Sequence, residues 1–245
     1  MRRKILFTFD TTGSMRTYIE RVLLDVATLS TEVLEADPDS EVGFIAYGDH
    51  CDGPRMIQDS TLPVIPSMTN FTLTPGIPSF SQSGSDIERW LSQDHGTHGG
   101  DAPEAVECVL KYIADVHVPR LPAGDQLIVF WVGDFGPHRP NDGACHNNVD
   151  WQHELSRLAA SGVSIYTALC GMDAFTRTVW EKMAKDTGGI AVDLLNVKNL
   201  LTTMVAVVKK ESGGLDAYAK TVRERGADAE MEEILVDLGA TCYDS

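Results

Sequence analysis

Oxygen-bearing side chains cluster directly after the first apolar run of the sequence. Residues 4–15 are KILFTFDTTGSM, in which Asp10, Thr12 and Ser14 occupy alternate positions. Alternate residues of a tight loop can direct two or three oxygens at one point, and carboxylates with hydroxyls are the ligands of a hard cation. This stretch therefore predicts a Mg²⁺ or Mn²⁺ site that keeps at least one coordination position open to a ligand.

Further aspartates follow later segments of the chain. Asp134 comes after the apolar run 127–132, and Asp101 opens a helical pattern. Both are candidate metal ligands, because ligands of an open α/β sheet bind outside the carboxyl ends of its strands. Asp101 has a structural alternative as a helix N-cap, since Asp-x-x-Glu with Pro103 forms a capping box. Asp49 and Asp52 are expected to order their own loop through hydrogen bonds.

Histidines and cysteines on the predicted loops offer a softer donor set. A zinc or iron site built from some of them is an alternative, although no pair has a ligand spacing specific to a helix. We expect His138 to fix a loop beside the predicted cation site. The residues concerned are His50, Cys51, His95, His98, His138, Cys145 and His146.

The elements that position these side chains are predicted from hydrophobic periodicity. Continuous apolar runs predict buried parallel strands, and patterns with helical spacing follow them. The alternation predicts a Rossmann-like, doubly wound α/β fold with a mostly parallel sheet of about six strands and helices on both faces. Strands are predicted at 5–9, 42–47, 127–132, 163–169 and 190–195, and helices at 15–36, 102–113, 151–160, 175–185 and 197–208.

Two segments depart from this alternation. Residues 61–85 are rich in Pro, Ser and Thr, which predicts a surface insertion within a domain that spans residues 1–213. Residues 214–245 form an acidic tail with two short helical patterns. The second pattern, which contains Ile234 and Leu235, could dock on the domain or on a partner.

Composition excludes several functional classes. The formal net charge of −16 and the pI near 4.7 argue against a phosphate-backbone binder or an anionic-membrane binder, so we expect neither nucleic acid nor membrane as a partner. Five scattered cysteines without a C-x-x-C pair argue against a disulfide framework. The short apolar run after the N-terminal basic residues is not a signal-peptide core, which predicts a cytoplasmic protein.

Several motifs in a fixed order resemble the von Willebrand factor A (vWA) domain family, and specifically its intracellular, mainly bacterial branch. The match covers roughly residues 3–211. The first motif is similar to the D-x-[ST]-G-S-M signature of the family's metal-ion-dependent adhesion site (MIDAS). The matching segments are DTTGSM at 10–15, YGDHCD at 47–52, GGDAPEA at 99–105, GD at 133–134 and PH at 137–138.

The resemblance implies a role for each residue of the site. Asp10, Thr12 and Ser14 would hold the metal directly or through water, and Asp134 matches the late aspartate, usually an outer-shell ligand. The position that adhesive members fill with threonine aligns with Asp101, and Thr97 is a nearby substitute. With three carboxylates facing one divalent cation, an acidic ligand from a partner would gain less than at a site with two.

Two functions from different classes follow. The first is a non-enzymatic, metal-dependent protein–protein interaction module, an adaptor or scaffold in a bacterial multi-protein system, with a protein partner completing the metal shell. The alternative is a metal-dependent hydrolase that uses the carboxylate or histidine cluster. Asp10 resembles the aspartyl nucleophile of haloacid-dehalogenase-like phosphatases in position. Those enzymes need a second acid two residues later, where this chain has Thr12.

Overall fold

The computed structural model describes residues 2–24, 32, 34–35, 37–62, 79–141, 143, 145 and 148–241. The predicted continuation of the first helix beyond residue 24 and most of the predicted 61–85 insertion lie outside these residues, as does His146.

The core of the structure is a six-stranded sheet with the order β3-β2-β1-β4-β5-β6. Strand β1 lies between β2 and β4 and pairs in parallel with both. Strand β3 pairs antiparallel to β2 at one edge of the sheet, and the apolar pattern of the sequence does not predict it. The strands are β1 (Arg3–Asp10), β2 (Ser40–Tyr47), β3 (Ile57–Asp59), β4 (Gln126–Gly133), β5 (Ser164–Leu169) and β6 (Ala191–Asp193).

Helices overlap each of the predicted helical ranges, and one further helix, Gly84–Leu91, begins in the predicted 61–85 insertion and was not predicted. Several begin at a side-chain cap: Asp150 accepts a hydrogen bond from the N–H of Gln152, and Asp173 from that of Thr176. The helices are α1 (Arg16–Leu24), α2 (Gly84–Leu91), α3 (Val106–Tyr112), α4 (Trp151–Ala160), α5 (Ala174–Thr187), α6 (Leu200–Glu211), α7 (Leu215–Glu224) and α8 (Ala229–Asp237). No helix in this part of the chain combines the length and the apolarity needed to cross a bilayer.

Both faces of the sheet are covered, which is why its strands are apolar along their whole length. Ile5, Phe7 and Phe9 of β1 pack into one cluster with residues of α2, α6, α7 and α8. The intervening Leu6 points to the other face and packs with residues of α3, α4 and α5. The predicted α/β fold with helices on both faces is therefore confirmed.

The last two helices pack against the sheet domain. Leu215 and Val222 of α7, and Ile234 and Leu235 of α8, are buried in the same cluster as β1. In addition, Glu230 at the start of α8 accepts hydrogen bonds from the N–H groups of Leu195 (2.5 Å) and Asn196 (2.9 Å). Residues 215–241 are thus joined to the domain by apolar packing and by polar contacts.

The strand order places a topological switch point between β1 and β4. The chain leaves β1 through α1, on the face of the first cluster, whereas it leaves β4 toward α4, on the opposite face. Ligands of open α/β sheets bind at such points, outside the carboxyl ends of the strands. The residues that directly follow β1 and β4 are therefore the first place to search for a functional site.

Candidate metal centre

Two aspartates lie at the switch point. Asp10 is the last residue of β1, and Asp134 follows the last residue of β4. The two strands are adjacent and in register, with Phe9 opposite Val132, so both side chains emerge at the same edge. Asp10 is completely buried and Asp134 is half-buried. Strand pairing therefore brings together two acidic residues that are 124 positions apart in the sequence.

The loop after β1 folds around the carboxylate of Asp10. Its Oδ1 atom accepts two hydrogen bonds from Thr12, one from the backbone N–H at 2.9 Å and one from the hydroxyl at 2.7 Å. The hydroxyl of Ser14 lies 3.4 Å from that of Thr12, within the tight turn Gly13–Met15 that leads into α1. The three alternate residues singled out in the sequence are thus adjacent in space.

A third acidic residue, Glu104, joins this site. It is buried, and its N–H donates to the carbonyl oxygen of Gly136 (3.0 Å), which anchors it beside the loop after β4. A Cβ atom at Gly99 would lie 3.3 Å from the Thr12 methyl group and 3.4 Å from Glu104 Oε1, so these two side chains meet at that glycine. The sequence pattern gave Glu104 only a capping role, although the apolar run that follows it indicates burial.

Three carboxylate oxygens of this site are buried without a hydrogen-bond partner in the described part of the chain. They are Oδ2 of Asp10, Oε2 of Glu104 and Oδ1 of Asp134. Burying an unpaired charged oxygen is costly, and proteins normally offset that cost with an opposite charge or a metal. The donor chemistry and these partnerless oxygens therefore fit a hard divalent cation.

The pKa values of the buried carboxyl groups also show that the site lacks positive charge. Burial raises the pKa of Asp10 well above its ordinary value; the hydrogen bonds from Thr12 oppose this shift, and the negative charge of Asp134 adds to it. Burial likewise raises the pKa of Glu104 to about 9, with contributions from the charges of Asp10 and Asp49. Such shifts arise where like charges share a buried site, and a bound cation reverses them.

Asp101 and Thr97 lie further out. The Asp101 side chain is 61% exposed, and its Oδ1 atom is 3.4 Å from Nε2 of His138. Thr97 is buried against Thr11, whose hydroxyl is 3.2 Å from its own. Within the described residues no hydrogen bond or ion pair joins either of them to Asp10, so their place in a metal shell stays a prediction.

The capping role predicted for Asp101 is wrong. Helix α3 begins at Val106, its N-cap residue is Ala105, and no side chain caps it by a hydrogen bond. The four residues before the N-cap instead form the segment that carries Glu104 into the site, where Glu104 pairs as an isolated bridge with Pro137. A helix that began at Asp101 would remove this bridge.

The loop after β2 is held in place by hydrogen bonds to its own aspartates. Asp49 accepts a hydrogen bond from the N–H of His50 (2.6 Å), and Asp52 accepts from those of Asp49 (2.9 Å) and His98 (2.8 Å). The loop-ordering role predicted for both aspartates is confirmed. A Cβ atom at Gly48 would approach Asp52 Oδ2 to 2.4 Å, so this packing requires glycine.

The histidines and cysteines separate into two groups. His95 stacks on Trp90 with a ring-centroid distance of 3.8 Å, and His98 and Cys51 are exposed. His50, His138 and Cys145 instead come together against α3. His138 lies 3.5 Å from Asp49 and 3.4 Å from Asp101, so it joins two of the loops at this edge, and its place beside a cation stays a prediction.

The architecture is that of a vWA-like α/β domain. The chain is similar to the solved structure of von Willebrand factor type A from Catenulispora acidiphila, with a TM-score of 0.55 and 10% identity over 88% of this chain and 43% of that one. It is also similar to proximal thread matrix protein 1 from the mussel byssus, with a TM-score of 0.56 and 16% identity over 88% of this chain and 48% of that one.

At these identities the likeness shows the fold alone. This chain spans less than half the length of either solved structure. No protein-family model matches the sequence. No curated protein matches it either.

Proposed function

We propose that this chain is a non-enzymatic, metal-dependent protein-interaction module with a Mg²⁺ or Mn²⁺ site formed by Asp10, Thr12, Ser14 and Asp134. The observation that carries the proposal is the set of partnerless carboxylate oxygens at the switch point, two of which belong to Asp10 and Asp134. A divalent cation supplies the positive charge that these buried groups lack. The vWA-like fold supports the same assignment by analogy.

The remaining acidic residues take supporting roles in this proposal. Glu104 is buried beside Thr12 and accepts a water ligand or contacts the cation directly. Asp101 is exposed at the rim and acts through water, beside His138. Asp10 orients the loop with Oδ1 and offers Oδ2 to the cation, because Oδ1 already accepts two hydrogen bonds.

The charges of the carboxylates and of the cation determine which kind of oxygen the partner can best offer to the metal. Asp10, Glu104 and Asp134 together carry three negative charges when ionised, against two positive charges on the cation. A further carboxylate would add repulsion, so an incoming neutral oxygen gains more than an acidic side chain does. We infer that the partner completes the shell with a backbone carbonyl, an amide or a hydroxyl oxygen.

A cleft beside the candidate site provides room for the partner's neighbouring side chains. It has a volume of about 410 Å³ and is mostly apolar. Thr12 and Gly13 of the loop after β1 are among its lining residues, and Ile19, Trp90 and Leu91 contribute to its apolar surface. An apolar cleft beside a few polar groups is typical of a recognition site. We propose a bacterial cytoplasmic multi-protein system as the setting, in which this module is an adaptor or scaffold.

Metal-dependent capture of a partner tests the proposal. Immobilised wild type in Mg²⁺ is compared with wild type in chelator, with Asp10→Ala, and with Asp39→Ala, whose exposed side chain lies outside the site. A partner retained by wild type and by Asp39→Ala in Mg²⁺, and lost in the other two samples, supports the module. Binding that is the same in all four samples contradicts it, and turnover of a phosphoester that disappears in Asp10→Ala would favour the hydrolase.

A further inference from the structure

A second group of potential ligands lies beneath the loop after β2. One imidazole nitrogen of His50, one carboxylate oxygen of Glu107, and the sulfur atoms of Cys108 and Cys145 all lie within 4.8 Å of one another. They come from three separate segments: the turn after β2, the first turn of α3, and the loop between β4 and α4. Glu107 and Cys108 are absent from the histidine and cysteine set that the sequence suggested, because only the fold brings α3 against these loops.

The group is buried, with apolar core residues on one side and the imidazole of His138 beside Glu107. Glu107 and Cys108 are completely buried, and Cys145 is 9% exposed. They lie among residues of the cluster formed by α3, α4 and α5, including Val109 and Trp151. A buried carboxylate is costly unless it is paired or coordinates a metal. The imidazoles of His50 (2.7 Å) and His138 (3.5 Å) pair with Oε1 of Glu107 here, and a bound metal can offset the same cost.

The distances match a tetrahedral site more closely than a disulfide. The sulfur atoms of Cys108 and Cys145 are 3.6 Å apart, whereas a disulfide bond is about 2.05 Å long. Two thiolates bound to one tetrahedral Zn²⁺ at about 2.3 Å lie about 3.8 Å apart. Glu107 Oε1 is 3.9 Å from Cys108 Sγ, against about 3.6 Å expected for an oxygen and a sulfur on zinc.

One distance must increase when a metal enters. His50 Nε2 and Glu107 Oε1 are 2.7 Å apart, as in a hydrogen bond. Zinc-bound nitrogen and oxygen atoms lie about 3.4 Å apart, so the two atoms would separate by about 0.7 Å. His50 lies at the start of the turn His50–Arg55, and its side chain is 13% exposed. A rotation of the imidazole ring can therefore move Nε2 away from Glu107.

Backbone N–H groups donate hydrogen bonds to two of the four candidate ligands, as outer-shell groups do in metal sites. The backbone N–H of His138 donates to Oε2 of Glu107 (3.2 Å), leaving Oε1 toward the group. The backbone N–H of Val149 lies 3.5 Å from Cys145 Sγ as a donor. Such contacts fix the orientation of first-shell ligands and raise metal affinity.

We propose that His50, Glu107, Cys108 and Cys145 form a closed, tetrahedral Zn²⁺ site that is separate from the Mg²⁺ or Mn²⁺ centre. Two sulfur donors with one imidazole favour zinc over the hard cations, and four protein ligands leave no open position for catalysis. The site ties the loop before α4 to helix α3 and to the turn after β2, which also carries Asp49. Zinc therefore stabilises the scaffold that flanks the first centre.

Metal analysis of the untagged chain, expressed with zinc supplementation, tests this proposal. We expect about one zinc per chain in wild type and a near-complete loss in Cys108→Ser and in Cys145→Ser. Cys51→Ser is the matched control, because Cys51 is exposed and outside the group, and it should retain zinc. Asp10→Ala should retain zinc as well, which separates this site from the proposed function. Cobalt reconstitution of wild type should give thiolate-to-cobalt charge-transfer absorption in the near ultraviolet.

Three results would overturn the zinc site. They are zinc retained in both serine variants, the absence of thiolate-to-cobalt absorption in reconstituted wild type, and a Cys108–Cys145 disulfide in the native chain. The cobalt spectrum and a thiol-blocking assay with and without zinc use wild type alone, so they decide the question even where a serine variant does not fold. Zinc should slow the blocking of Cys145, which is 9% exposed, but not that of Cys51, whereas the fold itself shields the completely buried Cys108.

Discussion

The hydroxyl group of Thr12 donates a hydrogen bond to Oδ1 of Asp10 across 2.7 Å, and the Thr12 N–H donates to the same oxygen. One carboxylate oxygen is therefore used to hold the loop, while Oδ2 has no hydrogen-bond partner in the described part of the chain. This division explains how a single buried aspartate can order its own loop and still offer an oxygen to a cation.

Replacing Thr12 should separate the two roles. Thr12→Ala removes the side-chain donor but keeps the backbone N–H bond, so the chain should fold and bind Mn²⁺ about 10-fold more weakly. Thr12→Ser keeps a hydroxyl and is the matched control, with an affinity close to that of wild type. Isothermal titration with Mn²⁺ measures both variants, and an affinity unchanged in Thr12→Ala would remove Thr12 from the metal shell.

Neutralising Glu104 should have opposite effects on the free and the metal-bound protein. Burial raises the pKa of Glu104 to about 9, so in the metal-free wild type this carboxyl must take up a proton when the chain folds at neutral pH, which costs stability. Glu104→Gln keeps the shape and avoids that cost, so the metal-free variant should be more stable at neutral pH. The same change should weaken Mn²⁺ binding by about 10-fold to 100-fold, as loss of a supporting ligand does. Thermal midpoints with and without Mn²⁺ measure both effects. If neither the midpoint nor the affinity changes, Glu104 does not belong to the centre.

A buried hydrogen-bond network around Asp59, on the outer strand β3, should control stability in acid. Asp59 accepts hydrogen bonds from His117 Nε2 (2.9 Å) and the Tyr112 hydroxyl (2.8 Å). Burial raises the pKa of Asp59, but the charge of His117 and the hydrogen bonds outweigh it and hold this pKa below the ordinary 3.8. Because the folded pKa is the lower one, the stabilisation is fully present above pH 3.8 and is lost as the pH falls through the folded value.

Asp59→Asn provides the measurement. At neutral pH the variant should lose about 3 kcal/mol of unfolding free energy, because charged hydrogen bonds to a buried carboxylate are removed. The difference from wild type should shrink as the pH falls below 3.8, where the unfolded-state aspartate takes up its proton. Denaturant unfolding across this pH range tests the sign, and a difference that grows in acid would contradict the assignment.

The C-terminal helices should contribute to the stability of the whole domain. Leu235 is completely buried in the sheet cluster, whereas its neighbour Val236 is 44% exposed. Leu235→Ala should therefore cost about 2–5 kcal/mol of unfolding free energy, and Val236→Ala, the control, about 0.5 kcal/mol or less. A single cooperative transition that is shifted in Leu235→Ala only would show that α8 unfolds with the sheet. Equal effects of the two substitutions would show that it does not.

The parallel strands, and the positions of Asp10 and Asp134 in the candidate centre, could be predicted because they follow from hydrophobic patterns and from the topology of parallel sheets. The parallel strands are continuous apolar runs, and their carboxyl ends bring Asp10 and Asp134 together by topology alone. Strand β3 was missed because it is three residues long and lies at an edge, where apolar periodicity is weak.

The acidic residues near α3 could not be assigned in the same way. Asp101 and Glu104 match a capping box in sequence. In the structure Glu104 packs near Gly99 and pairs with Pro137, and the helix begins only at Val106. Glu107 and Cys108 form part of a helical pattern and show no ligand spacing, because their partners His50 and Cys145 come from distant loops. Contacts between segments that are far apart in sequence decide these roles.

Mn²⁺ titration of the chain tests the hard-cation centre most directly. Wild type and Asp39→Asn, whose substituted residue is exposed and remote from the centre, should each bind one Mn²⁺ at a site that Mg²⁺ competes for. Asp10→Asn keeps the shape of the side chain but removes its negative charge and replaces one ligand oxygen with an amide nitrogen that cannot bind a cation, so the affinity for Mn²⁺ should fall by about 100-fold. An affinity for Mn²⁺ that is the same in Asp10→Asn and wild type would contradict the account.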